Sequence, residues 1–218
     1  MIPLEPDQIT IAVTVYDREN YIRQAVASAF HQNLQRGHRV MVVEDCGPNS
    51  SVRDLVIRSF DRELLYLRNE RTRGLFDNWN ACIESCTTDW LCILHDDDFL
   101  EANFIESMIE LHQAAPGRGL YYGECHVVDR DGNPVEKKHA PAVFQWHELD
   151  LEAWTHYDPV CFPGQLFTVS AARALGGFRS KSQYRAGREM GVKLAPPHGA
   201  AATERVAANA PGAPHHGR

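Results

Sequence analysis

The chain lacks the run of about 20 apolar residues that a membrane-spanning helix needs. Its first ten residues, MIPLEPDQIT, hold no basic segment leading into an apolar one. Both absences predict a chain without a leader peptide or membrane span, at a cytoplasmic address, with peripheral placement at the inner membrane face as the alternative. Positive charge is scarce as well. Lys and Arg number 22 against 29 Asp and Glu, a formal charge of −7. No broad basic face is therefore available to neutralise a nucleic-acid backbone. Cys-x-x-Cys pairs are also absent. The six cysteines, Cys46, Cys82, Cys86, Cys92, Cys125 and Cys161, are scattered, and they read as reduced thiols, several of them buried. None of the 11 histidines stands at a His-x3-His spacing, so no His-based zinc site is expected.

What the chain does contain is a regular alternation. Ile9 to Val15, Arg39 to Val43, Leu64 to Leu67 and Trp90 to Leu94 are short apolar runs rich in β-branched residues. Between them, and again from about Ala102 to His112, apolar residues recur at helical spacing: Ile22, Ala25, Val26, Ala29 and Phe30, then Val52, Leu55, Val56 and Phe60, then Trp79, Cys82, Ile83 and Cys86. Apolar strands alternating with amphipathic helices predict an α/β fold, a doubly wound and mainly parallel sheet with helices on both faces. After Pro116 the spacing predicts strands at Gly119 to Val128 and Gln165 to Val169. It also predicts short helices at Trp146 to Trp154 and Ser170 to Leu175, and a turn at Asp131 to Pro134. Residues 196–218 are 14 of 23 Ala, Gly or Pro, with Val206 the lone large aliphatic residue, which predicts a disordered tail. The expected organisation is one domain over 1–195, with halves at about 9–115 and 116–195, followed by the tail.

In an open parallel sheet, ligands bind beyond the carboxyl ends of the strands. The polar residues standing there are Thr14, Tyr16, Asp17 and Arg18 after the first strand, and Glu44 and Asp45 after the second. Asn69, Arg71, Arg73 and Gly74 follow the third, and His95, Asp96, Asp97 and Asp98 the fourth. Three carboxylates packed at the end of a buried strand repel one another, and a divalent cation such as Mg2+ or Mn2+ relieves that repulsion. The competing reading is a solvated acidic loop with a helix-capping Asp. Glu44 and Asp45 can accept hydrogen bonds from a base or a ribose, or serve as loop charges. Arg71, Arg73 and Gly74 suit a diphosphate, or form an ordinary basic surface loop.

Three segments, ITIAVTVYDRENYIRQAVASAFHQN, VMVVEDCGPN and LRNERTRGLFDNWNACIESCTTDWLCILHDDDFL, follow in an order that resembles the nucleotide-sugar domain of family 2 inverting glycosyltransferases. The likeness runs from about Ile9 to Phe178. It implies the GT-A fold and the transfer of a sugar from a UDP- or dTDP-type donor to a glycan, lipid or protein acceptor hydroxyl. In that likeness Thr14, Tyr16, Asp17, Glu44, Asp45, Asn69, Arg73, Gly74, Asn78 and Asp96 frame the nucleotide, with Asp45 at the base. Asp97 and Asp98 hold the metal, and Gly176, Gly177 and Phe178 line the acceptor side. Relatives carry an acidic catalytic base soon after Gly-Gly-Phe. Here Arg188 stands at that place, and Glu189 is the carboxylate nearest to it, with His156 and Asp158 next in line. Two other functions compete: a nucleotide-sugar binding module with impaired catalysis, and a sugar-phosphate nucleotidyltransferase. The second would need a Gly-rich first loop, and residues 14–20 contain no Gly.

Overall fold

The computed structural model describes residues 2–33, 37–48, 51–129, 133, 135, 162–179 and 200–211. The elements are β1 (Ile9–Val15), α1 (Glu19–Phe30), β2 (Arg39–Glu44), α2 (Ser51–Ser59), β3 (Leu65–Arg68), α3 (Leu75–Ser85), β4 (Trp90–His95) and β5 (Phe99–Leu100). They continue with α4 (Phe104–Ala114), β6 (Leu120–Val128), β7 (Gln165–Thr168), α5 (Val169–Ala174) and β8 (Ala200–Pro211). The strands form one sheet in the order β3-β2-β1-β4-β7-β6-β8-β5. β1 to β4 are mutually parallel, and β7 runs antiparallel to both β4 and β6.

Period-two alternation buries both faces of the central strands. Ile9, Ile11, Val13, Val40, Val42, Cys92 and Leu94 pack on one side with Ile22, Val26, Val52, Val56, Phe104 and Met108 of α1, α2 and α4. Ala12, Met41, Val43, Leu91 and Ile93 pack on the other side with Trp79, Cys82 and Ile83 of α3 and with Val169 and Ala172 of α5. Each aliphatic side chain taken fully out of water contributes about 1.5–3 kcal/mol, so this two-sided burial makes the first four strands the rigid base of the molecule. The order changes direction at β1, which has β2 on one side and β4 on the other. A crevice therefore opens beyond the carboxyl ends of β1 and β4. Pairing aligns those ends in register: Val15 lies opposite Glu44, Thr14 opposite His95, and Glu44 opposite Arg68.

Within the stretch 196–218 that the sequence marks as a tail, Ala200–Pro211 lies along the sheet as β8, parallel to β6 and antiparallel to β5. Strand addition is driven by main-chain hydrogen bonds to an open sheet edge, here that of β6, and needs no large apolar side chain. Pairing is irregular at Gly123 and Glu124, where the register shifts. The helix expected at 146–154 lies outside the described residues, and so do Asp131, Gly132 and Pro134 of the expected turn. Among the described residues, no helix is long and apolar enough to cross a membrane.

Candidate active site

Asp45 follows β2 directly, and its backbone N–H donates to Val15 O at 2.8 Å, tying the ends of β1 and β2 together. Its buried carboxylate gathers the loop before α3. Oδ1 accepts from Asn69 Nδ2 at 2.9 Å and from the Arg73 N–H at 2.8 Å, and Oδ2 accepts from the Gly74 N–H at 2.8 Å. Gly74 is the N-cap residue of α3 and has no side chain to cap it, so Asp45 supplies the anion that a helix N-terminus favours. Asn69 Nδ2 also donates to Asn78 Oδ1 at 2.9 Å, and Asn78 Nδ2 donates to Val43 O at 3.3 Å. Asp45, Asn69, Gly74 and Asn78, widely spaced in the chain, thus form one network.

Glu44 faces elsewhere. It is fully buried, accepting from Tyr66 Oη at 2.7 Å and pairing with Arg68, whose Nη2 donates to Gly47 O at 2.9 Å. Burial, and then the bond to Glu44, pushes the Tyr66 hydroxyl far above its ordinary range. Gly47 packs so closely on the chain after β1 that a Cβ there would lie 1.5 Å from Tyr16 O. The Arg73 side chain turns to the surface, 3.7 Å from Glu84. Thr14 is buried beside β4, donating to Leu94 O at 3.4 Å. Tyr16 and Asp17 are exposed at the mouth of the crevice.

The turn after β4 holds the three aspartates. His95 Nδ1 lies 3.3 Å from Asp98 Oδ2. Its ring lies nearly parallel to those of Trp79 and Phe162, with centroids 5.3 and 4.8 Å away, and those two rings stack on each other at 4.2 Å; its Nε2 is buried without a hydrogen-bond partner among the described residues. Donor atoms of His95, Asp97 and Asp98 lie within 4.8 Å of one another. An oxygen-rich set with one imidazole fits Mg2+ or Mn2+. Asp96 is buried, and burial raises its pKa against the opposing pull of Arg18, His95 and the Tyr16 backbone. Arg18 spans the turn, in contact with Asp97 and 3.7 Å from Asp96.

The acceptor-side residues are joined to α3. Asn80 Oδ1 accepts from the Phe178 N–H at 2.8 Å, and Asn80 Nδ2 donates to Phe178 O at 3.0 Å. Gly177, at φ 66°, passes so near that a Cβ would meet Asn80 Oδ1 at 2.3 Å. Gly176 precedes it, and the Phe178 ring lies 4.9 Å from Trp79, edge-on. Sequence reasoning missed three residues here: His95 as a member of the donor set, Arg18 as the partner of Asp97, and Asn80. The signal for Arg18 was its place directly after Tyr16-Asp17. Asn80 carried none, because its partner is 98 residues away. Glu189, His156 and Asp158 lie outside the described residues.

This chain belongs to glycosyl transferase family 2, whose family model matches residues 10–174. It is 20% identical over 186 residues to chondroitin synthase of Escherichia coli, covering 85% of this chain and 26% of that protein. In fold it is similar to S. aureus TarS 1-349 in complex with UDP-GlcNAc, with a TM-score of 0.73 and 12% identity over 94% of this chain and 58% of that one. It is also similar to the mannosyltransferase PcManGT from Pyrobaculum calidifontis, in complex with GDP-Man and Mn2+. That TM-score is 0.68, with 16% identity over 96% of this chain and 58% of the other. The architecture is the GT-A sheet, as expected. The chain spans less than half the length of the curated relatives it matches.

Proposed function

We propose that the chain transfers a sugar from a nucleoside-diphosphate sugar to an acceptor hydroxyl with inversion at the anomeric carbon, and that a divalent cation assists. The observation that carries this reading is the meeting of two groups at one crevice: the Asp45–Asn69–Asn78 network and the His95, Asp97 and Asp98 donor set. TarS in complex with UDP-GlcNAc and PcManGT in complex with GDP-Man and Mn2+ lend support through shared fold.

Base and ribose lie against Thr14, Tyr16, Asp17, Asp45 and Asn69. A carboxylate has about four acceptor positions, and Asp45 uses three on the loop, leaving one for a base N–H. Glu44 acts from behind, holding Tyr66 and Arg68 so that the end of β2 stays in place. The diphosphate runs past Gly74 and Asp96, with Arg73 swinging in from Glu84. Asp97 and Asp98, with His95, would hold Mg2+ or Mn2+, which would supply Lewis-acid stabilisation of the charge on the leaving diphosphate. The acceptor oxygen attacks the anomeric carbon beside Gly176, Gly177 and Phe178 as the bond to the diphosphate breaks. Its proton passes to a carboxylate base, for which Glu189 is the candidate. The catalytic unit is 1–195, donor half 9–115 and acceptor half 116–195, with a cytoplasmic or inner-face peripheral address.

A donor-binding chain with impaired transfer is the second reading, favoured by Arg188 at the place where relatives carry an acid. Thermal shift with UDP, dTDP, GDP and their sugars, with and without Mn2+, tests the shared part. A true ligand at a hundredfold excess over its Kd adds about 2.7 kcal/mol of stability. No response to any nucleotide would overturn both readings. Transfer to an acceptor that falls about a hundredfold in Glu189→Gln, with donor binding unchanged, selects the first.

A further inference from the structure

Arg18 flanks the N-terminus of α1, with its guanidinium turned back over the end of β4. It contacts Asp97 Oδ2 and lies 3.7 Å from Asp96 Oδ1. Asp97 is also a member of the His95–Asp97–Asp98 donor set, so one carboxylate belongs to both an ion pair and the candidate cation site. A guanidinium and a divalent cation repel, and both draw on the one Asp97 carboxylate.

The pair is built for exchange. The Arg18 side chain is 51% exposed and that of Asp97 29%, and an ion pair so open to water resists separation weakly. The backbone is held instead: Arg18 O accepts from the N–H groups of Tyr21 and Ile22, both at 3.3 Å. Motion is thereby confined to the side chain, while the buried Asp96 keeps its bond from Tyr16.

We propose that Arg18 is the resident counter-ion of the Asp96–Asp98 turn, and that a divalent cation binds by taking Asp97 from it. The freed guanidinium then stands beside the crevice, where a diphosphate is its natural partner. Cation and nucleotide consequently bind cooperatively, and the cation alone binds weakly. This rests on the nucleotide-sugar reading given above and adds how that site is kept closed to free metal.

Mn2+ is the probe, followed through the free-ion EPR signal, with the whole chain as wild type, Arg18→Gln and Arg23→Gln. Arg23 is an exposed arginine of α1, the helix that Arg18 precedes, and its variant carries the same change in net charge. Arg18→Gln should bind Mn2+ alone at least fivefold more tightly than wild type, and UDP or GDP should tighten its Mn2+ binding less than in wild type. Arg23→Gln should stay within twofold of wild type, and circular dichroism should match for all three. Equal Mn2+ affinity in wild type and Arg18→Gln, or an equal gain in Arg23→Gln, would overturn the role of Arg18 alone. Absence of Mn2+ uptake by wild type even with UDP or GDP present would remove the metal reading itself, and this inference with it.

Discussion

The carboxylate of Asp45 accepts the backbone N–H of Gly74 at 2.8 Å across 29 residues of chain. In doing so it joins the end of β2 to the first turn of α3. A residue marked by its place after a buried strand thus has a structural duty besides any ligand it meets.

Asp45→Asn is the direct test of that double duty. The amide turns one acceptor oxygen into a donor facing the N–H of Arg73 or Gly74, so a part-buried N–H loses its charged acceptor, at a cost of about 1–3 kcal/mol. We expect a lower melting temperature and weaker UDP or GDP binding together. Calorimetric unfolding and nucleotide titration on the same preparation check it; nucleotide binding lost at unchanged stability would contradict the structural part.

Gly177 and Asn80 should behave as a coupled pair. Gly177→Ala meets Asn80 Oδ1 at 2.3 Å at a φ of 66°, which costs about 1–3 kcal/mol in backbone strain alone. Asn80→Ala leaves the Phe178 N–H and C=O without their side-chain partner. The double variant relieves the collision, so its destabilisation should fall short of the sum by about 0.5–3 kcal/mol. Urea unfolding of the four proteins measures the coupling, and strict additivity would show that the two residues do not press on each other.

Asp97→Asn with Asp98→Asn removes two of the three clustered donors. The variant should lose the gain in nucleotide affinity that Mn2+ gives the wild type, while still binding nucleotide weakly through the Asp45 network. Isothermal titration with and without EDTA reads this directly. A Mn2+ effect of undiminished size would place the metal elsewhere.

His38 should make stability pH-dependent. Burial lowers its pKa from 6.5, the bond to Ala29 O works against that, and Arg62 adds to the lowering. The neutral ring donates from Nε2 to Ala29 O at 2.8 Å. With the folded value below the unfolded one, the unfolded chain binds more protons between the two. Stability is therefore complete above about pH 6.5 and declines as pH falls from there through the folded pKa. His38→Gln, which keeps a donor, should flatten that slope in melting curves taken from pH 8 to 5. An unchanged slope would assign it to another group.

Much of this molecule was legible in one dimension. The apolar runs at 9–15, 39–43, 64–67 and 90–94 and the helical spacings between them specify a parallel sheet, because residues buried on both faces leave few other solutions. Right-handed crossovers then bring the polar ends of those strands to one edge, which is why the sequence alone marks Asp45 and Asp96 to Asp98. What each polar side chain does at that edge was decided by tertiary structure. Glu44 and Asp45 are neighbours in sequence. Yet successive side chains of a strand point to opposite sides, so Tyr66 and Arg68 claim the first and the loop before α3 claims the second. Arg18 and Asp97, 79 positions apart by their numbers, meet because β1 and β4 pair in register. Nothing local to either residue encodes that meeting. Nor does local composition encode β8, whose pairing is set by the open main chain of β6. Burial pattern is a property of a segment and can be read along the chain, whereas a hydrogen-bond or ion-pair partner belongs to whichever distant segment packing brings within about 3 Å.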